Sequence, residues 1–222
     1  YEDEIRGSRS YAEHSVLSSG DWYRLGVKET GIYRISFQDF EAMGFDPGQI
    51  DPRNIRIFGN GCGMLEEANA MPRPDDLSEN AIYVEGEADG IFDPGDYVLF
   101  YGEGPVFERF VAFFMIFEPE INLYTDQTYY FLTPGDTPGK RVMAGEPVIF
   151  QPTHDVTSFH EMILHEKEER NLIKSGKTWY GEVFSSQTEY TFPFALPGID
   201  LAEPVWVKAS LAGRSTTKTD FN

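Results

Sequence analysis

Cys62 is the only cysteine in the chain, so a thiol nucleophile within it must be this residue, with His14, His154, His160 or His165 as its base. The reactive species is the thiolate, and positive charge nearby is what stabilises it. Gly61 and Gly63 leave Cys62 accessible, yet the charges that follow are Glu66 and Glu67, which push its pKa up. A lone cysteine in that setting reads as a small packing residue. The surrounding run, Gly59-Asn60-Gly61-Cys62-Gly63, follows a strand-like segment and stands where a phosphate-cradling loop would stand. A dinucleotide loop needs its third glycine three residues after the second, and a helix N-terminus facing the pyrophosphate. Here the third glycine comes after two residues and glutamates follow, which leaves a tight glycine turn between strands.

His160-Glu161-Met162-Ile163-Leu164-His165 is one residue longer than the helical zinc-protease motif. Ligands four apart share a helix face, but ligands five apart are rotated by roughly 140° and do not converge on one ion. The densest acidic cluster is Asp89, Asp93 and Asp96, on a Gly/Pro-constrained loop between two strand-like runs. Calcium takes about six to eight oxygens in irregular cages, so these three carboxylates could hold it. The other reading is turn geometry, with each Asp bonding nearby backbone N–H groups. Structural calcium on this loop is the only metal or cofactor the residues suggest, and they offer no catalytic set.

The elements that would carry these residues read mainly as β. Trp22–Val27 and Ile32–Ile35, separated by the polar turn Lys28-Glu29-Thr30-Gly31, predict a β-hairpin. Ser36 with Asp39 three residues on is a helix-start signal. Phe37, Phe40 and Met43 then recur at helical spacing until Gly44, which predicts about two turns of helix. Strands follow at Asn54–Phe58, Ala81–Val84, Tyr97–Tyr101 and Thr125–Leu132, rich in β-branched and aromatic residues and bounded by Gly, Pro and Asp. Thr133 to Gly139 holds two Pro-Gly signals and marks a turn or linker. Glu166-Lys167-Glu168-Glu169-Arg170 reads as a solvated helix or a charged turn. Tyr190–Phe194 and Pro204–Leu211 read as strands, the second with Val205, Val207, Ala209 and Leu211 on one face. The organisation expected is a loose segment 1–15, a β-rich domain with a short helix over 16–133, a linker or turn region over 134–150, and the start of a β-sandwich-like domain over 151–222. The strand-like runs between Gln151 and Asn222, about three in all counting these two, do not complete a sandwich, which commonly needs about seven. The alternating face must then pack on the first half, pair with another copy, or stay partly exposed.

Composition narrows the classes. With 18 Lys+Arg against 37 Asp+Glu the net charge is -19, and no basic cluster interrupts it, so nucleic acid and anionic lipid surfaces are repelled. The longest apolar run, Phe110 to Phe117, is eight residues, whereas a membrane-spanning helix needs about 20. The start, Tyr-Glu-Asp-Glu, lacks both Met and a basic-then-apolar leader, as expected of a trimmed or mature segment. A single cysteine fits either a reducing compartment or an envelope protein that does not rely on disulfides.

Several stretches, in order and spacing, resemble the N-terminal region of the type IX secretion sortases, gingipain-like cysteine peptidases of the Bacteroidetes envelope. They are Ser18 and Gly20-Asp21-Trp22-Tyr23 with Val27-Lys28-Glu29-Thr30-Gly31-Ile32-Tyr33, then Asp51 through Gly61, Arg73-Pro74-Asp75-Asp76-Leu77, Asp89-Gly90 through Gly102, and Tyr129 through Thr133. Weaker matches are His165-Glu166-Lys167 and Ser175-Gly176 through Trp179-Tyr180-Gly181-Glu182. The resemblance implies a parent enzyme that removes a C-terminal sorting domain from secreted cargo and joins the cargo to a surface glycolipid, located at the outer membrane or cell surface after passage through the periplasm. Its implied partners are the rest of the parent peptidase, secreted cargo and other secretion-system components. In that family the peptidase domain lies further along than this chain reaches, so no catalytic residue carries over and Cys62 does not correspond to the family nucleophile. The competing readings are a free-standing module binding surface carbohydrate or protein, with Trp179 and Tyr180 as stacking platforms, and an autonomous enzyme using Cys62.

Overall fold

The computed structural model describes residues 11–65, 68, 70–111, 116–145, 151–159, 161–174 and 178–215. The chain divides into two units, one ending at Thr157 and one spanning Ser158–Asn222. The first unit is β-rich. Its strands are β1 (Tyr23–Val27), β2 (Gly31–Ser36), β3 (Ile55–Phe58), β4 (Glu79–Asn80), β5 (Tyr83–Glu85), β6 (Tyr97–Gly102), β7 (Val106–Val111), β8 (Ile116–Ile121) and β9 (Thr128–Pro134), with one helix, α1 (Phe37–Ala42), after β2. They form three antiparallel sheets, ordered β1-β9-β3-β4, β2-β6-β5 and β7-β8.

The hairpin expected from Trp22 to Ile35 does not form. β1 pairs with β9, Tyr23 opposite Leu132, while β2 pairs with β6, Ser36 opposite Tyr97. The polar segment after Val27 therefore carries the chain from one sheet to the other. Period-two burial on both strands explains the choice: Val27 and Ile35 are both buried, and a strand settles where its apolar face meets the core, whatever the loop length would permit. Gly104 packs against the backbone of Lys28 and Glu29, and the Tyr33 hydroxyl donates to the Glu29 carbonyl at 2.7 Å, which fixes the crossing.

Inward residues of the two larger sheets build one core that includes Ile35, Ile55, Ile57, Val98, Phe100, Tyr130 and Leu132. Phe100 and Tyr130 meet across it with ring centres 5.4 Å apart. The helix forms as the sequence indicates. Ser36 and Asp39 make a reciprocal capping box, and Phe40, fully buried, lies 4.9 Å from Phe92. The two ends of the eight-residue apolar run lie on β7 and β8, where Phe110 sits opposite Phe117; its middle lies outside the described residues.

Among its described residues, the second unit has one bridge, Arg170 with Tyr180, and the strands expected at Tyr190–Phe194 and Pro204–Leu211 are irregular. Strand geometry persists only when neighbouring backbone satisfies its N–H and C=O groups. Val205, Trp206 and Val207 are 59%, 89% and 85% exposed, so residues on both sides of that run lack the cover that fixes a strand. The Glu166–Arg170 run is exposed and non-helical; Lys167 pairs with Glu182 at 3.0 Å rather than along a helix face.

Candidate functional site

The glycine turn after β3 is held by the protein on every side. The Gly59 N–H donates to the Ser78 carbonyl at 2.9 Å, and Asn80 Nδ2 donates to the Gly59 carbonyl at 3.0 Å. Asn60 braces the far strand, accepting from the Ser78 N–H at 2.9 Å and donating to the Asp76 carbonyl at 3.1 Å. Asn122 Nδ2 donates to the Gly63 carbonyl at 3.0 Å. Two of the glycines are there for space. A Cβ on Gly59 would collide with the Tyr130 ring, and one on Gly61 with the Glu103 carboxylate. Gly61 also has φ 75, a conformation that a residue with a side chain adopts at a cost of roughly 1 kcal/mol.

Glu103, which the sequence reading did not single out, is the centre of this site. It follows β6, between Gly102 and Gly104, and its Oε2 accepts from the Cys62 N–H at 3.1 Å. Its own N–H donates to the Tyr130 hydroxyl at 2.9 Å. A carboxylate of the protein thus takes the Cys62 N–H, and the turn is a structural joint. The one signal available was a lone carboxylate between two glycines at the end of an aromatic strand. Burial, then the Glu103 charge, push the Cys62 thiol up to about 11, so at neutral pH it is protonated and not nucleophilic. Burial also raises the Tyr130 phenol. A cleft of about 330 Å3 opens beside the turn, with Tyr101, Ser78 and Asn80 on its walls.

On the Asp89 to Asp96 loop, Asp89 Oδ1 accepts from the Ile91 N–H at 3.1 Å and Asp96 Oδ2 from the Asp93 N–H at 2.8 Å. The turn delivers Phe92 into the core, fully buried between Phe40 and Phe37. Among the described residues no group of three or more His, Cys, Asp or Glu side chains is gathered as a metal site. Calcium at Asp89, Asp93 and Asp96 has a direct test. A ligand that binds only the folded state stabilises it by about 2.7 kcal/mol at a hundredfold excess over Kd. With the Asp89 and Asp96 carboxylates engaged by backbone, melting curves in millimolar calcium and in chelator are expected to coincide; separation by several degrees would establish an occupied site.

The described side-chain contacts of His154 and His165 are to residues other than Cys62. His160 lies outside the described residues. His154 contacts Thr153, and His165 Nε2 lies 2.9 Å from Glu182 Oε1. Glu182 also receives Lys167, and its hydrogen bond with His165, reinforced by Lys167, pulls its carboxyl down to about 2. The His165 ring packs on Phe192, 4.7 Å between centres. The sign of the pH effect follows. A carboxyl depressed from about 4.5 to about 2 contributes stability in full above 4.5, and that contribution disappears as pH falls through 2. Proteolysis or NMR of the His165–Phe194 region is expected to show no change from pH 7 to about 5 and loosening below about 4.5, and Glu182→Gln should abolish that acid step.

No protein-family model matches the chain, and no curated protein matches it. Among solved structures it is similar to dimeric latent PorU from Porphyromonas gingivalis, at 27% identity and a TM-score of 0.46, covering 62% of this chain and 12% of that one. The chain thus spans about an eighth of the length of that protein. No helix among the described residues is long and apolar enough to cross a membrane.

Proposed function

We propose that this chain is a non-catalytic N-terminal segment of an envelope-associated, sortase-type cysteine peptidase that trims C-terminal sorting domains from secreted cargo and supports attachment of the cargo to the cell surface. The observation that carries the reading is the way residues of the resembling stretches meet in the fold. His165–Lys167 and Trp179–Glu182, separate in sequence, come together through the Arg170–Tyr180 bridge and the two contacts to Glu182. Arg73–Leu77 does similar work in the first unit, where Asp76 accepts from the Val16 N–H at 2.6 Å and the Ser15 hydroxyl at 2.8 Å. In this reading the motifs encode scaffold braces, and the peptidase chemistry is supplied by the parent protein. The rest of that parent, cargo and other secretion components are the proposed partners, and the cell surface the proposed location.

The experiment has two arms. The purified chain is expected to hydrolyse no peptide substrate, and Cys62→Ala should leave its melting temperature nearly unchanged or slightly lower, because the thiol is protonated beside a carboxylate. Hydrolysis that Cys62→Ala abolishes would replace this reading with an autonomous enzyme. The native gene product is expected to continue for several hundred residues with a paired His and Cys; a stop near Asn222 would favour the free-standing module.

A further inference from the structure

The cleft beside the glycine turn, about 330 Å3, is at the lower end of the range for small-ligand pockets, about 300–1,000 Å3. β5 pairs with β6 only through residues 97–99, and Tyr101 and Glu103, beyond that overlap, line the cleft. Asn60, Ser78 and Asn80 line it from the turn after β3 and the start of β4. The cleft therefore draws its walls from both of the larger sheets.

Glu103 is the one charged side chain of the lining, which includes no Lys, Arg or His. Elsewhere in this unit arginines are paired, Arg53 with Asp51 and Arg141 with Glu87, each at 2.7 Å. Half-buried Glu103 has no cation among the described residues, only the Cys62 N–H on Oε2 and the protonated Cys62 thiol beside it. Partial burial of a carboxylate costs free energy that a bound cation offsets. Other acceptors are left over as well. Asn80 Nδ2 donates to the Gly59 and Ser78 carbonyls at 3.0 and 3.3 Å, which leaves its Oδ1 without a donor among the described residues, and the Ser78 hydroxyl is equally unengaged there. Tyr101, 56% exposed, and Tyr130 are the aromatic residues of the lining. Carboxylate, amide and hydroxyl oxygens beside aromatic rings suit a cation that carries several N–H donors. A primary ammonium carries three on a flexible stem, whereas a guanidinium seats its planar fork on both oxygens of a carboxylate. Here Oε2 already holds the Cys62 N–H, which favours the ammonium.

We propose that this cleft binds a primary ammonium group on an alkyl stem, as a lysine side chain carries, with Glu103 as its counter-ion and Ser78 and Asn80 as further acceptors. The net charge of -19 draws cations toward the chain, and a negatively lined cleft concentrates them. The apolar stem packs along the walls while the charged head meets the oxygens. The inference rests on the cleft alone, so it stands or falls separately from the sortase-type reading.

The probe is Nα-acetyl-lysine N-methylamide, titrated into the full isotope-labelled chain and followed by amide shifts. Saturable binding is expected, with the largest shifts at Gly61, Cys62 and Glu103. Glu103→Gln should weaken it about tenfold and Tyr101→Leu about threefold. Glu41→Gln, which removes an exposed carboxylate on α1, should leave it unchanged. Melting curves establish that each variant is folded. The arginine counterpart should bind more weakly, and the Nε-acetylated lysine, which has lost its charge, should not bind. Two further probes separate the sources of the ammonium: tighter binding by a capped Val-Lys-Val peptide than by n-butylamine assigns a lysine of a partner protein, and equal binding assigns a free amine. Absence of saturable shifts would overturn the proposal. So would equal binding of the Nε-acetylated form, weakening by Glu41→Gln as large as that by Glu103→Gln, or shifts confined to residues away from the cleft.

Discussion

Tyr130→Ala is expected to destabilise the first unit by about 3–5 kcal/mol, the range for removing a fully buried aromatic side chain. Tyr130 is 1% exposed, contacts Phe100 from the opposing sheet, and fills the space that Gly59 leaves open. Its removal opens a cavity between the sheets and also orphans the Glu103 N–H. Tyr130→Phe separates the two effects. It keeps the ring and loses only the acceptor, so the cost should fall to about 1–2 kcal/mol. Urea unfolding followed by Trp22, which packs edge-on against Phe58 at 5.3 Å, reads both values. A Tyr130→Phe variant as damaged as Tyr130→Ala would mean that the hydroxyl, and not the packing, joins the sheets.

Arg141→Ala is expected to cost about 2–3 kcal/mol, although the residue lies outside every regular strand. Its Nη2 donates to the carbonyls of Pro52 and Arg53, both at 2.8 Å, its Nη1 to that of Ile55 at 3.2 Å, and its Nε to Glu87 at 2.7 Å. The Arg141 side chain is 21% exposed and that of Glu87 34%, so most of the effect comes from the backbone acceptors and not from the ion pair. Arg141→Lys should recover little, since an ammonium cannot reproduce the planar fork. Hydrogen exchange gives a local readout: Ile82 N–H donates to Lys140 and Val142 N–H to Ile82, and both protections should collapse together. If Arg141→Lys behaves like the unmodified chain, charge alone is sufficient and the carbonyl clamp is not the cause.

Sequence alone determined what is set within a few residues. The Ser36–Asp39 box and the Phe40 face specify α1 because cap and periodicity are local, and the structure shows both. The runs at Asn54–Phe58, Tyr97–Tyr101 and Thr125–Leu132 read as strands because alternation and β-branched content are also local, and β3, β6 and β9 stand there. Tertiary structure decided the pairings. The polar segment 28–31 looks like a hairpin turn, but β1 finds its partner about a hundred residues later at β9, since burial of Val27 and Leu132 outweighs the proximity of β2. It also decided the chemistry of the glycine turn. Spacing shows that Gly59 to Gly63 departs from a phosphate loop, but only the fold brings Glu103, 41 residues beyond Cys62, onto the Cys62 N–H. Burial first, and then the charge of that carboxylate, keep the thiol protonated. A carboxylate's influence depends on its distance in space, and nothing in the spacing of the chain encodes that distance.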